Sequence, residues 1–286
     1  MSVQQHGGAA RRTPYEIVFG EEVFEAEHFP AIAEEIETRG TGATDPGAFV
    51  MFATVGSLLR SLRPADGDGD PASPDAVLRY GALAFQAFHF HAAGHALYTL
   101  SDDLLDHLVR VGPAGDWTFE APHRAGYLQL PRHRVWVGAD AGSPPEPVDG
   151  FFWTCGAPAV RERRLDLLLC TGVRPGRPGI GVIDVAAGLP APPPGHWGDL
   201  EARGTGPDFA NVLPGGDLDG LIALTNGAEA LKLVSRIFRY ALTQQGAVGS
   251  PVTAPADAPA ESVHAMPPSA LPARPIRITG RSDVAP

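Results

Sequence analysis

Apolar positions along this chain repeat at helical spacing towards both ends and alternate in the middle. Phe29-Pro30 opens a segment in which Ile32 and Ile36 share one side and Glu34, Glu35 and Glu37 the other, until Gly40 and Gly42 close it. Asp45-Pro46 predicts a second helix, a cap followed by proline at the first helical position, with Phe49, Phe52, Val55, Leu58, Leu59 and Leu62 at helical spacing up to Arg63. A third is expected from Pro74 to about Tyr98, capped by Ser73 or Asp75. Its residues Val77, Leu78, Leu83, Phe85, Phe88, Phe90 and Leu97 wrap most of the way round, which predicts a largely buried helix. The stretch Thr99–Val111 restarts with Ser101 as cap and Asp102 and Asp103 in the first turn, where the helix dipole favours negative charge.

From Trp117 the pattern becomes extended. Segments Gly126–Leu130, Arg134–Val137, Phe151–Thr154, Leu165–Cys170 and Gly179–Val185 read as strands. Val135 and Val137 alternate with Arg134 and Trp136, as in a strand with two differently solvated faces. Leu167-Leu168-Leu169 is a continuous apolar run and predicts a central strand covered on both sides. Short turn-rich links such as Arg174–Pro178 favour antiparallel pairing. After the Pro/Gly-rich connection 188–216, Leu221, Leu224, Leu231, Val234, Ile237, Phe238 and Leu242 predict a helix or helix pair over 217–245.

These elements predict an α+β fold: an antiparallel sheet over about residues 117–185, covered by N-terminal helices and a C-terminal helix. A single domain is expected over 14–245 (helical 28–111, sheet 117–185), with residues 1–13 disordered and a disordered Pro/Ala-rich tail over 246–286.

Composition narrows the function classes. No apolar run approaches the roughly 18 residues a membrane helix needs, since His89, His91 and His95 interrupt the longest stretch. The N-terminus has no apolar core after its basic residues, so no secretory signal is read. Two cysteines, Cys155 and Cys170, suit a cytoplasmic protein with reduced thiols. The formal charge is -11, and the tail is balanced, so the excess sits on the folded part. Such a body repels phosphate backbones, and the densest basic cluster (Arg161, Arg163 and Arg164) has Glu162 inside it, so direct nucleic-acid binding is not expected.

Candidate chemistry begins with His89, His91 and His95. On a helix, His91 and His95 lie one turn apart and could share a metal, whereas His89 points away. Asp102, Asp103 or His107 would have to supply a third ligand. The metalloprotease pattern needs Glu after the first histidine, where Ala92 stands. The blander reading is helix-end histidines bonded to backbone. Cys155 with His133 or His123, an Asp149/Glu146 carboxylate pair, and the Gly172–Gly181 glycines are weaker leads, each explained by core packing or turn chemistry. The Asp66–Asp70 run lacks the glutamate a calcium loop requires, with Val77 at that position. No complete catalytic motif is present, no cofactor is expected, and the reading favours a binding protein over an enzyme.

The aromatics Tyr127, Trp136, Phe151, Phe152 and Trp153 point elsewhere. With a period of two they cannot all face inward. Tyr127, Trp136 and Phe152, with Arg132 and Arg134 nearby, are therefore candidates for an exposed partner-binding patch, because Trp, Tyr and Arg dominate binding hot spots. Burial under the helices is the alternative.

The order of motifs adds a resemblance. AAGHALYTLSDDLLDHL precedes a Leu-Pro strand with an aromatic, YLQLPRHRVWV, then DGFFW, LDLLLC and a late helix LKLVSRIFRYAL before a Pro-rich tail. This succession, over roughly Ala92 to Leu242, resembles phage and mobile-element proteins that include the type V-A anti-CRISPR inhibitors, which reduce production of the type V Cas nuclease. The resemblance implies an α+β adaptor that binds a protein or nascent peptide and has no known cofactor. It does not cover the N-terminal helices or the 188–216 connection. A metal-dependent hydrolase built on His91 and His95 is the alternative reading.

Overall fold

The computed structural model describes residues 13–19, 22–39, 46–61, 74–110, 121–138, 145–155, 162–171, 181–190, 221–224, 227–243 and 276–278. Five helices come first: α1 (Pro14–Val18), α2 (Glu22–Arg39), α3 (Pro46–Phe49), α4 (Ala53–Ser61) and α5 (Pro74–Ala92). Then follow β1 (Leu97–Leu100), α6 (Asp102–Arg110), β2 (Ala125–Gln129), β3 (Val135–Val137), β4 (Glu146–Cys155), β5 (Glu162–Thr171) and β6 (Gly181–Pro190). The chain continues with β7 (Ile222–Leu224), α7 (Gly227–Thr243) and β8 (Ile276–Ile278).

The class is α+β, with helices on both faces of a sheet. The main strand path is β6-β5-β4-β2-β1-β8, and β3 pairs with β4 and with β7. β2, β4, β5 and β6 pair antiparallel as expected. The sheet as a whole is mixed, because β1 is parallel to β2 and to β8, and β7 is parallel to β3. The antiparallel expectation missed these strands for a local reason. β1 straddles the end of one expected helix, at about Tyr98, and the start of the next, at Thr99, and its connection to β2 carries α6, the crossover that a parallel pair requires. After Ala92, Gly94 (φ 73) and His95 (φ 59) take left-handed backbone, and the His95 amide donates to the Phe90 carbonyl at 2.9 Å. That geometry ends α5 and redirects the chain into the sheet.

Strand periodicity divides the core into two layers. Leu128, Phe151, Trp153, Leu165, Leu167 and Leu169 face α6 and α7, packing with Leu104, Leu105, Leu108, Val234, Ile237 and Phe238. Their neighbours Tyr127, Phe152, Leu168 and Cys170 face the N-terminal helices and pack with Phe85, Phe90, Phe49, Val55 and Tyr15. β5 is thus the doubly covered strand that its leucine run predicts.

Smaller corrections follow from tertiary context. The segment expected as one helix over 45–63 breaks into α3 and α4. The carboxylate of Glu35 on α2 accepts from the amides of Ala53 and Thr54 at 3.0 and 3.1 Å, capping α4 from outside its own sequence. α2 begins at Glu22, ahead of the opening expected at Phe29-Pro30, and carries Pro30 inside it. Part of the late helical region is β7, which places Leu224 in a strand, and Leu242 on α7 is exposed instead of facing the core. Ser101 caps α6 as expected, its hydroxyl accepting from the Leu104 amide at 3.3 Å. Within the tail expected to be disordered, residues 276–278 form β8. The Asp66–Asp70 run, most of the Gly172–Gly181 turn and the 191–216 connection lie outside the described residues.

Candidate functional site

The aromatic stretch places its members in two environments. Tyr127 and Phe152 have no exposed surface, and their rings sit 4.5 Å apart between register partners of β2 and β4. They are core residues, which corrects the expectation that they line an outer patch: α5 packs over this face of β2 and β4, and Phe90 meets Phe152 edge-on at 5.7 Å. The Tyr127 hydroxyl donates to buried Asp149 at 2.5 Å. Asp149 lies on β4 at a register shift, not in a turn, and Gly150 beside it is obligatory: a Cβ there would meet the Leu128 carbonyl and stand 2.6 Å from the Tyr127 hydroxyl. Burial pushes the Cys170 thiol well above its ordinary range, and the negative charge of Asp149 adds to the shift.

Trp136 has the other environment. Its β3 neighbours Val135 and Val137 are buried in the α6/α7 layer, so alternation turns Trp136 to the opposite side, where it is half-buried. Arg132, His133 and Arg134 form the β2–β3 turn, with His133 in left-handed backbone (φ 56). The Trp136 indole N–H donates to the His133 carbonyl at 2.9 Å, and the two rings lie 6.0 Å apart. Arg132 and His133 are exposed. Arg134 reaches α6, pairing with Asp102 at 3.2 Å and with Asp106. Three of the five candidate residues, Arg132, Arg134 and Trp136, are therefore gathered at one turn and its strand, while Tyr127 and Phe152 are sealed away.

The histidines converge on a residue that sequence reasoning passed over. The Tyr15 hydroxyl lies 3.5 Å from His91 Nδ1 and 3.2 Å from His95 Nε2. One hydroxyl has one proton to give, so one of these contacts requires a ring N–H donating to the phenol oxygen. The His91 and His95 rings are 5.1 Å apart, and Phe29, Phe90 and Tyr15 pack against them. His89 points away, packed against Phe85 and Phe88. Asp102, Asp103 and His107 belong to α6 on the opposite face of the sheet, so they are not the third ligand the metal reading needed. Among the described residues, no three His, Cys, Asp or Glu side chains form a group able to hold a metal ion. The signal for Tyr15 was present: Thr13-Pro14-Tyr15-Glu16 is a capping box with proline at the first helical position. The Thr13 amide donates to Glu16 Oε2 at 2.6 Å and the Glu16 amide to Thr13 Oγ1 at 3.2 Å.

The remaining leads are structural. His123 takes Tyr98 at 2.6 Å through Nδ1, and its carbonyl accepts from the Trp153 indole at 3.0 Å. Burial pushes the Tyr98 phenol up to about 12, so it stays protonated and can donate to the imidazole. Glu146 accepts from the Thr171 hydroxyl at 2.6 Å, which separates its role from that of Asp149. The Thr154 hydroxyl donates to Gln86 Oε1 at 2.8 Å, and Gln86 Nε2 donates to the Asp166 backbone carbonyl at 3.3 Å, tying α5 to the sheet.

No family model and no curated protein matches the chain. Among solved structures, a crystal structure of AcrVA2 is similar over 63% of this chain and 61% of that one, at 10% sequence identity and a TM-score of 0.35. At that level the likeness assigns neither a shared fold nor a shared activity. No helix among the described residues is long and apolar enough to cross a membrane.

Proposed function

We propose that this chain is a non-enzymatic protein-binding domain whose partner surface is the β2–β3 turn with the outer side of β3. One observation carries this reading: the alternation of β3 anchors Val135 and Val137 in the core while presenting Trp136 beside exposed Arg132 and His133. A half-buried tryptophan rimmed by arginine has the composition of a binding hot spot. Arg134 stiffens the platform through its pairs with Asp102 and Asp106. The motif-order resemblance narrows the partner class to a protein or nascent peptide, as for an anti-CRISPR-like inhibitor of a type V Cas nuclease.

The test is co-expression with such a nuclease, reading its level and its capture on the tagged chain. Capture should fall at least tenfold for the pair Arg132→Ala and Trp136→Ala with an unchanged circular dichroism spectrum. Unchanged nuclease level together with no capture by the unaltered chain would remove the anti-CRISPR reading. Capture that survives both substitutions would move the partner surface elsewhere.

A second reading, a metal-dependent hydrolase, keeps one supporting observation: Tyr15 draws His91 and His95 together. Metal analysis of the purified protein decides it. Stoichiometric zinc that disappears in the His91→Ala/His95→Ala variant would favour the hydrolase; no bound metal after loading would end it.

A further inference from the structure

The C-terminal tail returns to the sheet. Residues 276–278 form β8, parallel to β1, with register partners Tyr98↔Ile276, Thr99↔Arg277 and Leu100↔Ile278. On its other side β1 is held by β2, and β2 by the long antiparallel ladder of β4 and β5. β1 is thus an integral strand, with Tyr98 and Leu100 buried in the α6/α7 layer. β8 is different in kind. It is three residues long, it is separated from α7 by residues 244–275, and that stretch is rich in proline and alanine. A strand this short contributes few ladder hydrogen bonds, while the edge beneath it offers a row of backbone donors and acceptors already fixed in extended geometry.

We infer that the β1 edge is a strand-accepting site, with Ile276–Ile278 as its resident and displaceable occupant. The partner it fits is an extended segment of another protein that carries β-branched residues at alternate positions and adds as a parallel strand. The resident strand itself defines that chemistry, with isoleucine on either side of Arg277. In such addition the main-chain bonds supply affinity and alternate side chains supply selectivity. Covalent attachment raises the local concentration of the resident, so an incoming strand must outcompete it. A segment longer than three residues does so by making more ladder bonds along the same edge. This surface is separate from the Trp136 platform, and neither requires the other.

The experiment uses the full chain and a fluorescent peptide of residues 272–281. In the I276P/R277P variant, one of the two consecutive amides that proline removes must face β1 whatever the ladder phase, so the resident strand is released. The peptide should bind this variant at least tenfold more tightly than the unaltered chain. Amide exchange at residues 98–100 should rise in the variant and fall again on adding peptide. In the unaltered chain, excess peptide should speed exchange at residues 276–278 while residues 98–100 stay protected, a measurement that needs no variant to fold. Failure of the peptide to bind the variant, or exchange at 276–278 indifferent to peptide, would overturn the inference. Equal binding to both chains would show that the tail does not occupy the edge. A concentration-dependent dimer lost in the variant would assign the edge to a second copy of this chain instead, and would equally overturn it.

Discussion

Trp153 and Trp136 belong to neighbouring paired strands and share a side-chain type, yet the fold places them in opposite environments. Trp153 is fully buried, 4.7 Å from Phe238 and 5.7 Å from Tyr98, with its indole N–H on the His123 carbonyl. Trp136 is half-buried, beside a turn of exposed polar residues. The difference lies in what covers each face. β4 is sandwiched between two helical layers, so every aromatic on it is consumed by packing. β3 has a core contact on its valine side, and the described helices α1–α5 group around β2, β4 and β5 on the other. An aromatic residue in a strand signals burial only when both faces of that strand are occupied.

The contrast is open to direct attack. Trp153→Ala should destabilise the chain by about 3–5 kcal/mol, the usual cost of deleting a buried aromatic, whereas Trp136→Ala, at a half-buried position, should cost about 1 kcal/mol, a typical value for a point substitution outside the core. Urea denaturation of both variants checks this, and equal losses would mean that Trp136 is core as well. Next in size is Gly150→Ala, where the new methyl must displace the Leu128 carbonyl and the Tyr127 hydroxyl. Overpacking of this kind costs about 1–3 kcal/mol, read as a lower thermal midpoint.

Tyr127→Phe removes the hydroxyl donor to buried Asp149, a loss of about 1–3 kcal/mol for a buried polar contact, and leaves partner capture unchanged because the ring never reaches the surface. The same sealed layer should protect Cys170. With its thiol raised by burial and by Asp149, it should label only on global unfolding, while half-buried Cys155 labels first; native-state thiol kinetics distinguish the two.

The smallest effect concerns Glu35. Burial alone would raise its carboxyl, but donation from Thr54 and Ala53 and the charge of Arg39 outweigh that and hold it below the ordinary 4.5. A depressed folded value means stabilisation present above the unfolded value and lost as pH falls through the folded one. Glu35→Gln should therefore cost about 1 kcal/mol near neutrality, the usual worth of a helix cap, and the gap to the unaltered chain should close below pH 4.5. A gap that persists at pH 2 to 3 would assign the effect to packing.

What could be read in advance follows the range of the forces involved. Local patterns sufficed for α5, for α6 with its Ser101 cap, for the strand character of β2 to β6 and for the double coverage of Leu167–Leu169, since each depends on neighbours within a few residues. The break between α3 and α4 did not follow, because its cap comes from Glu35 on another helix. Nor did the entry of β1 into the sheet, where two left-handed residues override a helical pattern that would otherwise continue.

The candidate site divides in the same way. Amino-acid order alone determined that Val135 and Val137 oppose Arg134 and Trp136, because strand geometry alternates side chains whatever surrounds them. The shared helix face expected for His91 and His95 did not form, because α5 ends at Ala92 and His95 lies in left-handed backbone beyond it. Which face of each strand would be roofed was a tertiary decision, made when α5 settled over β2 and β4 and buried Tyr127 with Phe152. The gathering of Tyr15, His91 and His95, and the return of residues 276–278 to β1, were likewise decided only by the folded chain. Both join segments far apart in the sequence, and no local periodicity encodes a contact whose partner lies on another element.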